Sequence, residues 1–269
     1  MTLPGFSFIV DSVNKSWAIF LAGIFLGTFF ITTQDILAKL VLQRFSMPSV
    51  AAMLVNNDAA LAFEIGNYFF NGGAYDLDAA ERAFKKAQRI DPQLIGPRYQ
   101  LSRIAFLRGN FYDALRLANE ELALHPEFKR THYLLGLIYG YSGNHEFAER
   151  EFLAFLEWDP KSWAAHNDLA WAYFASGDFV RAEEAARSGL EHNPGNSWLL
   201  LSRGTALLNL GKKKEAEEAL LAAQAAAQTL TPADWGRAYP GNDPALYAKG
   251  LLEMRNVIER NLALARSGG

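Results

Sequence analysis

Apolar residues recur at helical spacing along most of the chain, in runs broken by short polar or glycine-containing segments. The run Tyr133-Leu134-Leu135-Gly136-Leu137-Ile138-Tyr139-Gly140-Tyr141 stops at Ser142-Gly143, and one polar residue later a second helical run begins. A glycine at such a point can take the left-handed conformation that ends a helix without a Cβ clash. The local pattern therefore predicts helix, tight turn, helix.

The pattern repeats with a period of 34 residues, marked by Ala80, Ala114, Ala148, Ala182 and Ala216. Glycine keeps the same beat at Gly109, Gly143, Gly177 and Gly211. So does proline at Pro92, Pro126, Pro160 and Pro194, preceded by Asp91, His125, Asp159 and Asn193. The alanine falls in the second helix, where a small side chain lets two antiparallel helices approach closely. The proline comes after it, where a missing N–H and a fixed φ stop the element. A fixed period of this length means an array of one repeated unit.

In the third unit the marked positions are Leu135-Gly136, Tyr139, Ala148, Phe152 and Pro160; in the fourth they are Leu169-Ala170, Tyr173, Phe179, Ala182 and Pro194. These residues resemble the signature of the tetratricopeptide repeat family, a helix-turn-helix of the same length. The resemblance covers residues 59–230 as five repeats. It implies an all-α, right-handed superhelical solenoid closed by a C-terminal capping helix. Two units depart from the pattern. Ile65-Gly66 lies two residues too far from Ala80, which predicts a two-residue insertion in the hairpin through Asn71-Gly72-Gly73-Ala74. The fifth unit has Gln228 where proline was due and Arg203 in place of a leucine. Terminal repeats have one neighbour only and are commonly atypical.

Ahead of the array, a tail of residues 1–15 leads into 19 positions, 16–34, without a charge, among them Trp17, Phe20, Leu21, Phe25, Leu26, Phe29 and Phe30. As a helix this stretch is about 28 Å long, close to the thickness of a bilayer core. It is read as a single transmembrane helix. A cleaved signal peptide would need a small-residue site after the run, and Thr32-Thr33-Gln34-Asp35 offers none. A buried solenoid helix would be shorter and amphipathic, and Asp11, Asn14 and Lys15 interrupt a pilin-like leader. Inside the span Gly23 and Gly27 form a GxxxG, a flat face for pairing two copies into a homodimer. Flanking cations are balanced, with Lys15 before and Lys39 and Arg44 after, so orientation rests on the tendency of one early helix to export the bulk of its chain. That places the solenoid outside the cytoplasm, on a bacterial inner membrane.

Residues 35–58 join anchor to array. Ile36, Leu37, Leu40, Val41, Leu42 and Phe45 keep helical spacing and predict an amphipathic continuation that Ser46-Met47-Pro48 breaks; Ser49 to Asn56 then forms a cap on the first repeat. Beyond the array, 231–242 is rich in turn residues and reads as a loop. A capping helix fills 243–269, with Asp243 as N-cap, Pro244 in its first turn, and Leu251, Met254, Ile258 and Leu262 on its apolar side.

Composition narrows the function. The net charge is −3 and no long basic run occurs, so nucleic acid is not expected as a partner. There is no cysteine, which allows either side of a membrane. The histidines His125, His132, His145, His166 and His192 lack converging ligands, and neither a metal nor a cofactor is expected. No HExxH, P-loop, GxSxG or dinucleotide fingerprint is present, and no catalytic residue is assigned.

What remains is a surface. In the family, the first helix of each hairpin lines a concave groove. Carried onto this sequence, the lining is Phe63, Asn67 and Phe70; Tyr99, Arg103 and Phe106; Arg130, Tyr133 and Tyr141; Asn167, Trp171 and Phe174; and Trp198, Leu201 and Thr205. About half of these are expected to fill space between repeats instead. Aromatic and arginine anchors suit a peptide or protein ligand. The lysines of a C-terminal-carboxylate clamp are missing. The resemblance implies a non-enzymatic, membrane-anchored scaffold in envelope assembly, secretion or quality control. Two other readings stand beside it: a recruiting or regulatory subunit of a membrane enzyme such as a glycosyltransferase, and a self-assembling structural protein.

Overall fold

Every regular element among the described residues is helical. The computed structural model describes residues 33–71, 75–239 and 241–267. The expected membrane span 16–34, with its Gly23 and Gly27, lies outside these apart from its last two positions. Among the described residues no helix is long and apolar enough to cross a membrane. The chain divides into two compact units between Leu94 and Ile95.

The first unit holds α1, helical over 33–45 of the described residues, then α2 (Pro48–Leu54), α3 (Ala59–Asn71) and α4 (Leu77–Ile90). The predicted break falls at Ser46, whose φ of 51° turns the chain into α2. Asp35 on α1 accepts from the backbone N–H of Asn56 at 2.6 Å, so the two helices are tied end to end. Only part of the α1 apolar set is used: Ala38 and Leu42 are buried, whereas Ile36, Leu40 and Phe45 are 70%, 52% and 61% exposed. The Lys86 ammonium on α4 donates to the Val55 carbonyl.

The second unit contains four helix pairs: α5 (Pro97–Leu107) with α6 (Phe111–Leu124), α7 (Arg130–Tyr141) with α8 (His145–Trp158), α9 (Trp163–Ala175) with α10 (Phe179–His192), and α11 (Ser197–Asn209) with α12 (Lys213–Gln228). Each pair turns at a glycine of the 34-residue beat. Gly109, Gly143, Gly177 and Gly211 have φ between +73° and +83°. After each, the N-cap carbonyl accepts from the periodic alanine: Ala114 to Asn110, Ala148 to Asn144, Ala182 to Asp178, Ala216 to Lys212. The alanines are at most 1% exposed, the depth expected of a close helix contact.

Within each hairpin the contact between helices is matched in volume. Gly136 on α7 faces Phe152 on α8, Gly204 on α11 faces Leu220 on α12, and in the first unit Gly66 on α3 faces Phe84 on α4; a Cβ on any of these glycines would overlap the facing ring or branch. Elsewhere the register carries small residues on both sides, Ser102 with Ala118 and Ala170 with Ala186, all buried. The separation is sixteen positions in the second unit and eighteen between Gly66 and Phe84. The two extra residues fall between Asn71 and Leu77, where the insertion was expected.

Segment 231–242 is not the simple loop read from its turn residues. It contains α13 (Pro232–Ala238), opened by a capping box in which Thr231 and Asp234 satisfy each other's backbone. Proline at the first helical position is compatible with a helix start, which is why a turn-rich sequence folded into one. Asp243 caps a single 3-10 turn, Pro244–Leu246, that leads into α14 (Tyr247–Arg266). Leu251, Met254, Ile258, Leu262 and Ala265 of α14 are buried, the last four against core residues of α11 and α12.

Candidate partner-binding face

The second unit sets α7, α9 and α11 side by side, linked by polar contacts of unusual regularity. Tyr133 on α7 donates its phenol to Asp168 Oδ2 on α9 at 2.5 Å. Asn167 donates to Asp168 Oδ1 at 3.2 Å and accepts from the Ser202 hydroxyl of α11 at 2.9 Å. The carboxylate thus stands at the centre of a chain of neutral donors. It makes no ion pair among the described residues.

Burial has the expected electrostatic effect. It pushes Asp168 up from 3.8 to about 6, against the opposing pull of the Tyr133 and Asn167 hydrogen bonds. Tyr133, Tyr141 and Tyr239 are all raised, by burial first and by the negative charge of Asp168 second. One of these phenols, Tyr133, is bonded to the carboxylate; the other two feel its charge.

Aromatic rings continue the face to either side. Tyr141, 60% exposed, lies 5.3 Å from Phe106 and 5.1 Å from Trp171. Trp171 reaches this position because Gly140 occupies the register held by Phe106 and Phe174 in neighbouring repeats; a Cβ there would come within 2.6 Å of the indole. Trp198 meets Trp163 at 5.2 Å, Trp235 at 6.0 Å and Tyr239 at 6.3 Å. The last two belong to α13 and its C-cap. They are held there by reciprocal packing: the Trp235 ring sits on Gly250 of α14, and the Tyr247 ring sits on Gly236 of α13.

Several residues placed in the groove from sequence have other surroundings. Phe70 is 2% exposed and packs edge-on to Phe84, so it belongs to the core of its hairpin; Phe63 leans on the same ring at 5.5 Å. Phe106 and Phe174 are partly buried against Phe111 and Phe179 of their own second helices. Leu201 packs into the cluster beneath α14. Thr205 donates to the Leu201 carbonyl and accepts from Asn261 of α14, so the chain's own last helix covers it. Trp198 is covered in the same way by α13. In each case a periodic position was filled by an intrachain neighbour that periodicity does not specify.

Those of the second unit that remain line α5, α7 and α9: Arg130 is exposed, and Tyr99, Arg103, Tyr133, Asn167 and Trp171 are partly buried. Asn67, on α3 of the first unit, is partly buried there. Arg103 donates to Gln100 at 2.8 Å and lies 5.9 Å from the Tyr99 ring centre; burial lowers its pKa. The site residues missed from sequence are Asp168, Ser202, Trp235 and Tyr239. Asp168 left a signal, since it is the single acidic residue of α9, a helix made mostly of alanines and aromatics.

Two of the histidines have local polar partners. His132 meets Glu151 at 2.7 Å and the His166 ring meets the Pro160 carbonyl at 3.0 Å. Among the described residues no group of three or more metal-ligating side chains gathers.

Comparison with known proteins agrees with this architecture. Two family models described as Tetratricopeptide repeat match residues 133–197 and 173–238. The TPR repeat-containing protein YvcD of Bacillus subtilis (strain 168) is 51% identical over 37 residues, which are 14% of this chain and 8% of that protein's length. Among solved structures, a MamA crystal structure superposes with a TM-score of 0.55 at 21% identity, over 63% of this chain and 92% of that one. YrrB, described as a TPR protein with an unusual peptide-binding site, gives 0.53 at 17% identity over 76% and 98%. Yeast Tom70 gives 0.59 at 17% identity over 88% and 47%. The chain carries tetratricopeptide repeats in an all-α solenoid.

Proposed function

We propose that this protein is a non-enzymatic scaffold that holds an extended peptide or a partner helix against α7, α9 and their neighbours α5 and α11. The observation that carries the reading is the uncovered stretch from Arg130 through Tyr141 to Trp171. The C-terminal part of the same face is filled by α13 and α14, yet here a tyrosine packed beside a tryptophan stays 60% exposed among the described residues. Large aromatics and arginines are typical anchors of protein interfaces, and Arg130 stands exposed at the other end of the same helix. The peptide-binding site in YrrB's description is consistent with such a use of the fold.

Anchoring to a bacterial inner membrane by residues 16–34, with the solenoid outside the cytoplasm, is part of the same proposal. It is supported by the uncharged stretch itself and by the exposed apolar side of α1 just beyond it. The Gly23–Gly27 pair is proposed to associate two copies within the bilayer.

Site-specific photocrosslinking in intact cells tests the reading. A benzoyl-phenylalanine replacing Tyr141 is expected to trap one discrete partner, while the same group replacing Tyr112, 79% exposed on α6, traps none. Equal products from both positions would remove the case for this face. Release of the protein from membranes by alkaline carbonate would remove the case for the anchor.

A further inference from the structure

The Asp168 carboxylate is an unusual group for this position. A buried charge is normally compensated by an ion pair, and breaking such pairs is costly because the remaining charge has no counter-ion. Asp168 is hydrogen-bonded by Tyr133 and Asn167, and its charge is felt by Tyr141 and Tyr239. All four are neutral at physiological pH, and among the described residues no cation is one of the groups that act on it. If its purpose were only to tie α7 to α9, an asparagine would accept the Tyr133 hydrogen bond without the cost of a buried charge.

The aromatic wall beside it has matching chemistry. Ring faces attract cations, a guanidinium stacks on aromatic planes, and both effects strengthen as water is excluded. Trp171 lies three residues, about one helical turn, beyond Asp168 on α9, and the Tyr141 ring packs against it at 5.1 Å while 60% of the tyrosine stays open to solvent. Each Asp168 oxygen accepts one hydrogen bond from the protein and retains a lone pair for another donor.

We propose that Asp168, Tyr141 and Trp171 form a receptor for one basic side chain, arginine or lysine, of a peptide lying across α7 and α9. The inference rests on the peptide-binding reading above and makes it chemically specific. The ligand's cation supplies the counter-charge that the described residues do not, so binding and charge compensation occur in one step. The alternative of a neutral or acidic residue at this point would leave the carboxylate uncompensated.

The test uses full-length protein in detergent micelles and fluorescent nonapeptide pools, random except at a central residue fixed as arginine, lysine, glutamine or glutamate. Anisotropy is read at 150 mM salt to suppress non-specific attraction. The arginine and lysine pools are expected to bind roughly tenfold or more tightly than the glutamine pool, with glutamate weakest. Asp168→Asn is expected to abolish that preference while keeping the far-ultraviolet dichroism and a cooperative melt. Tyr141→Leu, at an exposed position where folding is not at stake, is expected to reduce it several-fold. Equal binding of the arginine and glutamine pools, or a preference that survives in Asp168→Asn, would overturn the receptor and leave peptide binding standing. Failure of every pool to bind would overturn both.

Discussion

Tyr133 and Asp168 are thirty-five positions apart and bonded at 2.5 Å, and Asn167 and Ser202 repeat that offset at 2.9 Å. The offset is one residue longer than the repeat. A side chain on the first helix of one hairpin therefore meets not its own counterpart in the next hairpin but the residue after it. This one-step stagger converts a repeating sequence into a polar line crossing α7, α9 and α11.

The Asp168 end of that line gives a pH signature. Its folded pKa of about 6 lies above the unfolded carboxylate value, so the folded state binds the proton more tightly. The stabilisation this provides is complete below about pH 4 and is lost as pH rises through about 6. Between pH 4 and pH 8, Asp168→Asn should gain about 2 kcal/mol on the unsubstituted protein. Melting curves of both proteins across that range measure the gain. A difference independent of pH would contradict the account.

The volume match inside the hairpins predicts coupling between two sites. Gly136→Ala places a Cβ within 2.6 Å of the Phe152 ring and should cost about 1–3 kcal/mol. Phe152→Ala alone leaves a cavity and should cost about 3–5 kcal/mol. Together they recreate the small pair found at Ala170 and Ala186, and the double variant should lose clearly less than the sum. Urea unfolding of the three proteins decides it; strict additivity would show that the two positions do not share one contact.

Glycines in turns should divide by backbone conformation. Gly143 has φ +83° and open space around its Cβ position, so Gly143→Ala should cost about 1 kcal/mol through strain alone. Gly195 has equally open surroundings without the left-handed φ, and Gly195→Ala should be neutral or stabilising by up to about 1 kcal/mol. Differential scanning calorimetry of the pair is sufficient, and losses of equal size would refute the distinction.

The α13 segment should be separable from the rest. A Cβ at Gly250 would lie 2.5 Å from the Trp235 indole, so Gly250→Ala is expected to push α13 away from α14 and from Trp198. Faster amide exchange over 231–242, with α14 still protected, is the expected result. Unchanged exchange in that segment would mean that other contacts hold it.

The hairpins were legible in the sequence and the face only partly so, for reasons that lie in the same residues. The beat of Ala114, Ala148 and Ala182 located every hairpin of the array because a close helix contact recurs once per repeat and tolerates only a small side chain. The extra spacing from Gly66 to Ala80 revealed the insertion for the same reason. The face was harder. Phe70 and Phe174 carry the same residue type at the same register, yet Phe70 is sealed edge-on to Phe84 of its own hairpin while Phe174 is only partly buried against Phe179. Trp171 owes its position to Gly140, an absence in a different helix. Tyr239 comes within electrostatic reach of Asp168 only because Trp235 finds a glycine fifteen residues further on, in α14. Such contacts join segments that no periodicity relates.

The paired volumes also bear on how an array of this kind changes over generations. Gly136 accepts Phe152, and any smaller companion would leave a void, while Ala170 is matched at the same register by the small, buried Ala186. A lone helix moved from one position of the array to another would arrive with the wrong bulk for its new companion. Moved with its companion, it would bring its fit along. In inheritance, as in packing, the smallest exchangeable module is therefore the whole hairpin.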